Sequence, residues 1–302
     1  MCFKCNSVPS SRAPGVFFLP AAALVVSAWL SARPARAAES PLAIVNAGVQ
    51  QYEDGPFVSA TAVFLPEDTL YFTFQIAGFK IESNEAKGTQ QISLAYEISV
   101  LDANGVALAP SNSGKIDTQL SAEDKNWTPK RRASFLIPQL VGAGDYRVHA
   151  VAKDLLGKAE TAKDIPFHIG GVEVHKSEEI SVEHFRFLRE ENSREPLGIA
   201  AYRPGDTVFT AFEIAGYALG PGNRYHVAYG ATVLRPDGKP FLEKPEAVEL
   251  DSSSFYPAQF LPGSFNVVCS PDSQRGQYVI VLTARDLIAN RTYVTKQLFS
   301  LE

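Results

Sequence analysis

Apolar and polar positions alternate strictly from Thr69 to Ala77: Leu70, Phe72, Phe74 and Ile76 fall on one side, Thr69, Tyr71, Thr73 and Gln75 on the other. A period of two over this length predicts a strand with one buried face. The stretch starts at Pro66-Glu67-Asp68 and stops at Gly78. It returns 138 positions later, from Pro204-Gly205-Asp206 to Gly216, with Val208, Thr210, Phe212 and Ile214 inward. Thr210 is the single inner position that turns polar in the second copy.

The correspondence continues along the chain. Ile92, Leu94, Tyr96, Ile98 and Val100 form the next inward row, echoed by Tyr225, Val227, Tyr229 and Val233 at a shift of 133 positions. The drop in shift puts a shorter loop in the second copy, where a shared scaffold tolerates change. Both rows run into turn residues, Asp102-Ala103-Asn104-Gly105 and Arg235-Pro236-Asp237-Gly238, which favour the positive backbone angles of tight hairpins. Gly144 to Leu155 is likewise repeated as Gly276 to Leu287. Leu42 to Val45 reads as a first strand. Asp164 to Ile169 and Thr295 to Leu301 read as closing strands, and Pro166 marks an edge or a bulge because it has no N–H for a ladder. Helical periodicity is missing after the leader, so the class is all-β, with about seven strands in each copy.

Tyr146 and Tyr278 each enter a strand just after a glycine turn, with small and branched residues at every second place. This resembles the tyrosine corner and penultimate strand of immunoglobulin and fibronectin type III domains. The resemblance implies two tandem immunoglobulin-like antiparallel β-sandwiches arising from an internal duplication. It also implies that both tyrosine hydroxyls reach backbone groups of the preceding loop. The expected organisation is a leader at 1–37, a first module at 40–170, a linker at 171–177 and a second module at 178–302, with the boundary near Lys176.

The leader is read from its charge and apolar pattern. Lys4 and Arg12 precede an apolar run ending at Leu30, and Ala35-Arg36-Ala37 is a small-x-small cleavage sequence, the plan of a secretory signal peptide. The run is shorter than the ~20 residues a membrane-spanning helix needs, and Pro20 interrupts it. Cleavage leaves no stable membrane insertion and an extracytoplasmic destination, periplasmic or secreted. It also removes Cys2 and Cys5, leaving Cys269 alone in the apolar run Phe265 to Cys269, where a buried thiol is expected. The whole chain carries a formal charge of −5; without the four basic leader residues, 24 basic face 33 acidic side chains, a net of −9. Such an acidic chain is a poor nucleic-acid ligand.

Candidate chemistry is sparse. The five histidines, His149, His168, His175, His184 and His226, lack metal-ligand spacing, no glycine-flanked nucleophilic serine occurs, and no glycine loop fits a phosphate. We therefore expect no catalytic residues, no cofactor and no metal. Asp154 and Asp286 recur at equivalent places after the tyrosine strand and read as turn scaffolds, as do Asp68 and Asp206.

The copies differ most at Phe79 to Gln90, Lys125 to Arg132 and Arg186 to Glu195. In the second of these, Trp127 beside Lys130 and Arg131 either stacks on a sugar ring or anionic polymer or caps one end of the sandwich. Tyr71 and Phe209 face outward by parity. Asn126-Trp127-Thr128 and Asn290-Arg291-Thr292 fit the glycosylation pattern. The function expected is an exported, non-enzymatic binding or adaptor protein with a protein partner, acting through loops or sheet edges. The alternatives are a module binding carbohydrate or another small ligand through exposed aromatics, with polysaccharide as partner, and a periplasmic chaperone.

Overall fold

The computed structural model describes residues 41–59, 61–84, 89–121, 124, 127–175, 177–191, 193 and 195–302. The leader at 1–37, Lys125, Asn126, the boundary residue Lys176, and Asn192 and Arg194 of the third variable stretch lie outside the described residues. The protein is all-β, with no α-helix among the described residues. Its first half holds β1 (Ala43–Gln50), β2 (Val63–Phe64), β3 (Thr69–Ala77), β4 (Glu82–Asn84), β5 (Thr89–Leu101), β6 (Asn112–Leu120), β7 (Lys130–Leu136), β8 (Gly144–Asp154) and β9 (Ala159–Ile169). The second half holds β10 (Ser181–Leu188), β11 (Ala201–Tyr202), β12 (Thr207–Ala215), β13 (Tyr225–Leu234), β14 (Pro240–Ser252), β15 (Phe260–Val268), β16 (Gly276–Asp286) and β17 (Arg291–Leu301).

In each half a three-stranded antiparallel sheet, β1-β3-β7 or β10-β12-β15, packs on a larger one. The larger sheets run β2-β9-β8-β5-β4, with β6 also on β5, and β11-β17-β16-β13-β14. The alternation along β3 decides this packing. Leu70, Phe72, Phe74 and Ile76 are fully buried against Ile92, Leu94 and Ile98 of β5, in one continuous core. Val208, Phe212 and Ile214 of β12 do the same against Val227 and Val233 in a second core. The polar intruder Thr210 is buried too, and its hydroxyl donates to the Phe265 carbonyl at 2.8 Å, which offsets the cost of taking it out of water. Gly216 ends β12 with φ 70°, and a Cβ there would lie 2.1 Å from the Glu179 carbonyl oxygen, so only glycine fits.

The tyrosines behave as the resemblance implies. Tyr146 donates to the Gly142 carbonyl and Tyr278 to the Gln274 carbonyl, both at 2.8 Å and both four residues upstream. Burial pushes the Tyr146 phenol up to about 12, and the hydroxyl stays a donor throughout the physiological range. Tyr146→Phe is expected to lower stability by about 1 kcal/mol in urea denaturation, the net worth of one such bond. A loss below the scatter of replicate curves would remove the hydroxyl from the account.

Cys269 is a free, buried thiol, and desolvation raises its pKa. The two cores exchange residues: Tyr256, between β14 and β15, is buried in the first core and donates to Asp102 Oδ2 at 3.2 Å, and Leu140 of the first half packs against the second core. Gln259 beside it accepts from the Gly142 N–H at 2.8 Å, and its own N–H donates to the Leu140 carbonyl at 3.0 Å.

Candidate binding site

The outer face of β1-β3-β7 carries a polar patch. Alternation leaves Tyr71, Thr73 and Gln75 outward on β3, and the register sets them opposite Ser134, Arg132 and Lys130 of β7. On the other side lies β1, whose register shifts between Val45 and Gly48, with Asn46 at φ 46°. That bulge turns the Asn46 amide toward the middle strand, where it donates to Gln75 Oε1 at 2.6 Å.

A cover was not legible in the alternation. After β1 the chain folds residues 51–58 back over the sheet, so that Phe57 lies against Gly48, where a Cβ would collide with its ring. Beneath this loop Thr73 and Gln50, outward by parity, are nonetheless buried. Thr73 donates to Gln50 Oε1 at 2.7 Å, and the Gln50 amide donates to the Gly55 carbonyl. Asp54 on the loop pairs with Arg132 at 2.5 Å and with Lys130 at 3.5 Å, and Glu53 lies 3.4 Å from Arg132. The result is two shallow concavities of about 190 and 370 Å3, one over Tyr71 and Arg132 and one between Asn46, Phe57, Gln75 and Lys130. The only local signal for the cover was Tyr52 through Phe57, with its Gly55-Pro56 turn between two aromatic residues.

Of the residues singled out in the sequence, Tyr71 and Lys130 therefore share this face. Arg131 has the opposite parity, and its guanidinium donates to the Lys130 carbonyl at 2.9 Å. Trp127 sits before β7, 37 % exposed, with its N–H on the Asp124 carbonyl. Phe209 belongs to the other half, beside a separate hollow of about 320 Å3 with Arg189, Tyr202 and Asp206.

The second half repeats the bulge with different chemistry. The register of β10 on β12 shifts between Glu183 and Arg186, and His184 takes φ 48°. His184 and Glu213 stand 138 positions after Asn46 and Gln75. Glu213 is buried, with His184 Nδ1 at 3.3 Å and Arg186 donating to both its oxygens at 3.0 and 3.1 Å. A neutral amide pair in one half is thus an ionic cluster in the other.

The recurring aspartates are structural in geometry. Buried Asp154 accepts the N–H groups of Lys80, Leu156 and Gly157, and buried Asp286 those of Ala218, Ile288 and Ala289. Asp68 and Asp206 accept from Leu65 and Arg203. Among the described residues no three His, Cys, Asp or Glu side chains converge as metal ligands. A further concavity, of about 680 Å3, lies where the halves meet, lined by Asp102, Tyr146, His175, Tyr217 and Gln259.

No protein-family model and no curated protein sequence matches the chain. Among solved structures, it is similar to the C-terminal domain of the Streptococcus pyogenes antigen I/II-family protein AspA, with 13% identity, TM-score 0.29, and 84% of this chain and 98% of that one covered. It is also similar to the C-terminal domain of the Streptococcus agalactiae AgI/II polypeptide BspA, with 13% identity, TM-score 0.28, and 85% and 97% covered. A likeness at this level carries no argument about what this chain binds.

Proposed function

We propose that the chain is an exported, non-enzymatic binding or adaptor protein, a duplicated immunoglobulin-like module at 40–170 and 178–302 joined by 171–177, which holds a protein partner through its second copy. The observation that carries this reading is the contrast between the outward faces of the two larger sheets. In the first half that face is closed by ion pairs: Arg147 with Asp164 at 3.6 Å, His149 with Asp164 at 2.6 Å, Lys153 with Glu160 at 3.0 Å and His168 with Asp145 at 3.0 Å. In the second half the ion pairs of that face, Arg285 with Glu246 and His226 with Glu249, lie toward β14, whereas β16 and β17 present Val279, Val281, Val294 and Leu298 around Lys296, with Val294 and Leu298 52% and 50% exposed. An apolar strip on one copy and a solvated face on the other is the pattern of an interaction surface.

A second reading rests on the covered polar patch. The amides of Asn46 and Gln75, the Lys130 ammonium and the rings of Tyr71 and Phe57 offer the hydrogen bonds and stacking surface of a carbohydrate site. One experiment separates the two. Bait capture from envelope extracts of the exporting cell is expected to retain a protein with the natural chain and to lose it with Val281→Glu. Capture unaffected by that charge removes the surface from consideration. Retention of polysaccharide that Tyr71→Ala abolishes decides for the second reading instead.

A further inference from the structure

We propose that the open edge of β17 is a docking strand for an extended segment of a partner protein in which two apolar residues flank a carboxylate at alternate positions. This rests on the protein-binding reading above and deepens it, naming the edge and the peptide chemistry.

β17 pairs with β16 along its whole length, from Arg291 to Leu301. On its other side, among the described residues, it has only two-residue β11, in parallel at Ser300 and Leu301. The Ser300 N–H donates to the Ala200 carbonyl on that side, so in an antiparallel ladder the backbone groups of Thr292, Val294, Lys296 and Leu298 point the same way. Among the described residues nothing bonds to those four N–H and C=O groups. The edge is a template of unpaired donors and acceptors about seven residues long, which sheet proteins ordinarily block.

The first half does block it. β9 is held by β2 in the same manner, at His168 and Ile169. Where β17 has Leu298, β9 has Pro166, which has no N–H to offer a new strand. Where β17 has Lys296 and Thr292, β9 has Asp164 and Glu160, both tied into ion pairs. Lys163 additionally reaches from β9 to the Ile44 carbonyl on β1 at 3.4 Å. Each protective device present in the first copy is missing from the second, at the matched position, 132 residues on.

The side chains over the edge define the occupant. Val294, Lys296 and Leu298 stand in a row on the exposed face, beside Thr283, Val281 and Val279. Lys296 has no carboxylate within ion-pair distance among the described residues. A strand added here gains main-chain bonds from the edge and, at alternate positions, apolar contact with Val294 and Leu298 and a charge partner for Lys296. A second copy of this chain fits worse. The antiparallel register that seats Val294 against Leu298 of the copy sets Lys296 directly opposite Lys296, and like charges so placed repel.

The test is a fluorescence-anisotropy titration of the purified chain with the labelled peptide Ser-Thr-Val-Thr-Glu-Thr-Val-Thr-Ser. Its apolar-acidic-apolar row is the same in parallel and antiparallel pairing. Saturable binding is expected, weakened by about ten-fold or more in Leu298→Pro, which copies the proline of the first half, and in Lys296→Glu. The same peptide with lysine in place of glutamate is expected to bind Lys296→Glu and to fail on the natural chain. Thermal unfolding of Leu298→Pro should match that of the natural chain, because the lost N–H had no partner. Absence of peptide binding, or equal binding by the natural chain and both variants, overturns the proposal. So does a natural-chain dimer in sedimentation that Leu298→Pro dissolves, since the edge then belongs to a second copy. If envelope capture survives Leu298→Pro but not Val281→Glu, the adaptor reading stands and strand addition falls.

Discussion

Phe212→Ala is expected to destabilise the second half by about 3–5 kcal/mol, the cost of emptying a packed aromatic site. The ring is 1% exposed and sits among Phe185, stacked at 5.9 Å and 7°, Tyr229, edge-on at 5.4 Å, and Phe265 at 6.2 Å. It also lies on Gly263, where a Cβ would come within 2.3 Å of it, so at that point the β15 backbone itself meets the ring and has no side chain to refill the space. A domain holds only about 5–15 kcal/mol in total, so this single change spends much of the margin. The readout uses the chain's own reporters. Of the two tryptophans, Trp29 and Trp127, only Trp127 lies among the described residues, in the first half. Circular dichroism should move to markedly lower urea, while Trp127 fluorescence moves less. Phe209→Ala, three residues earlier on the same strand but half-buried and outward, serves as the comparison and should cost far less. Equal effects of the two would mean that β12 does not face the core as described.

Asp286→Ala carries the second large effect, about 3–5 kcal/mol, because it removes a buried carboxylate that accepts three backbone N–H bonds and one from Arg291, each worth about 1 kcal/mol or more. Asp286 is 1% exposed and accepts the N–H groups of Ala218 at 2.9 Å and of Ile288 and Ala289 at 3.0 Å, with Arg291 at 2.9 Å. Burial by itself raises its pKa. The backbone donors and Arg291 outweigh burial, and the carboxyl is held below its ordinary value. A carboxyl depressed in the folded state stabilises at pH above its unfolded pKa, near 4, and this contribution is lost as pH falls through the folded value. The natural chain should therefore lose stability on acidification below about pH 4, and Asp286→Asn should flatten that part of the profile. An unchanged acid limb in Asp286→Asn would assign the acid sensitivity to other carboxylates.

Much of this was legible in residue order. The alternation of Leu70 to Ile76 and of Val208 to Ile214 announces two buried strands without any tertiary knowledge, because side chains on a strand alternate by geometry alone. The recurrence of Tyr146 and Asp154 as Tyr278 and Asp286 likewise pointed to turn-and-corner roles, since each depends on backbone groups only a few residues away or on the neighbouring loop. The candidate sites were less legible. Trp127, Lys130, Arg131, Tyr71 and Phe209 were picked for their chemistry, and only Tyr71 and Lys130 prove to share a face. Parity separates Arg131 from its neighbours, and Phe209 lies in the other half.

What the sequence by itself determined is therefore the local part: an all-β chain, the inward rows and the turn glycines; the bonds of the Tyr146 and Tyr278 hydroxyls to upstream carbonyls came from the resemblance. Tertiary structure alone decided which outward residues meet water. The loop at 51–58 buries Thr73 and Gln50 although both alternate outward, and a bulge in β10 carries His184 onto a buried Glu213 across the sheet. The short β11 leaves Val294 to Leu298 with an open edge while Pro166 and paired charges guard β9. The physical reason is range. Alternation reports on a strand and its own two faces, whereas cover, register and edge pairing depend on segments distant in the chain, brought together only when the sheets pack.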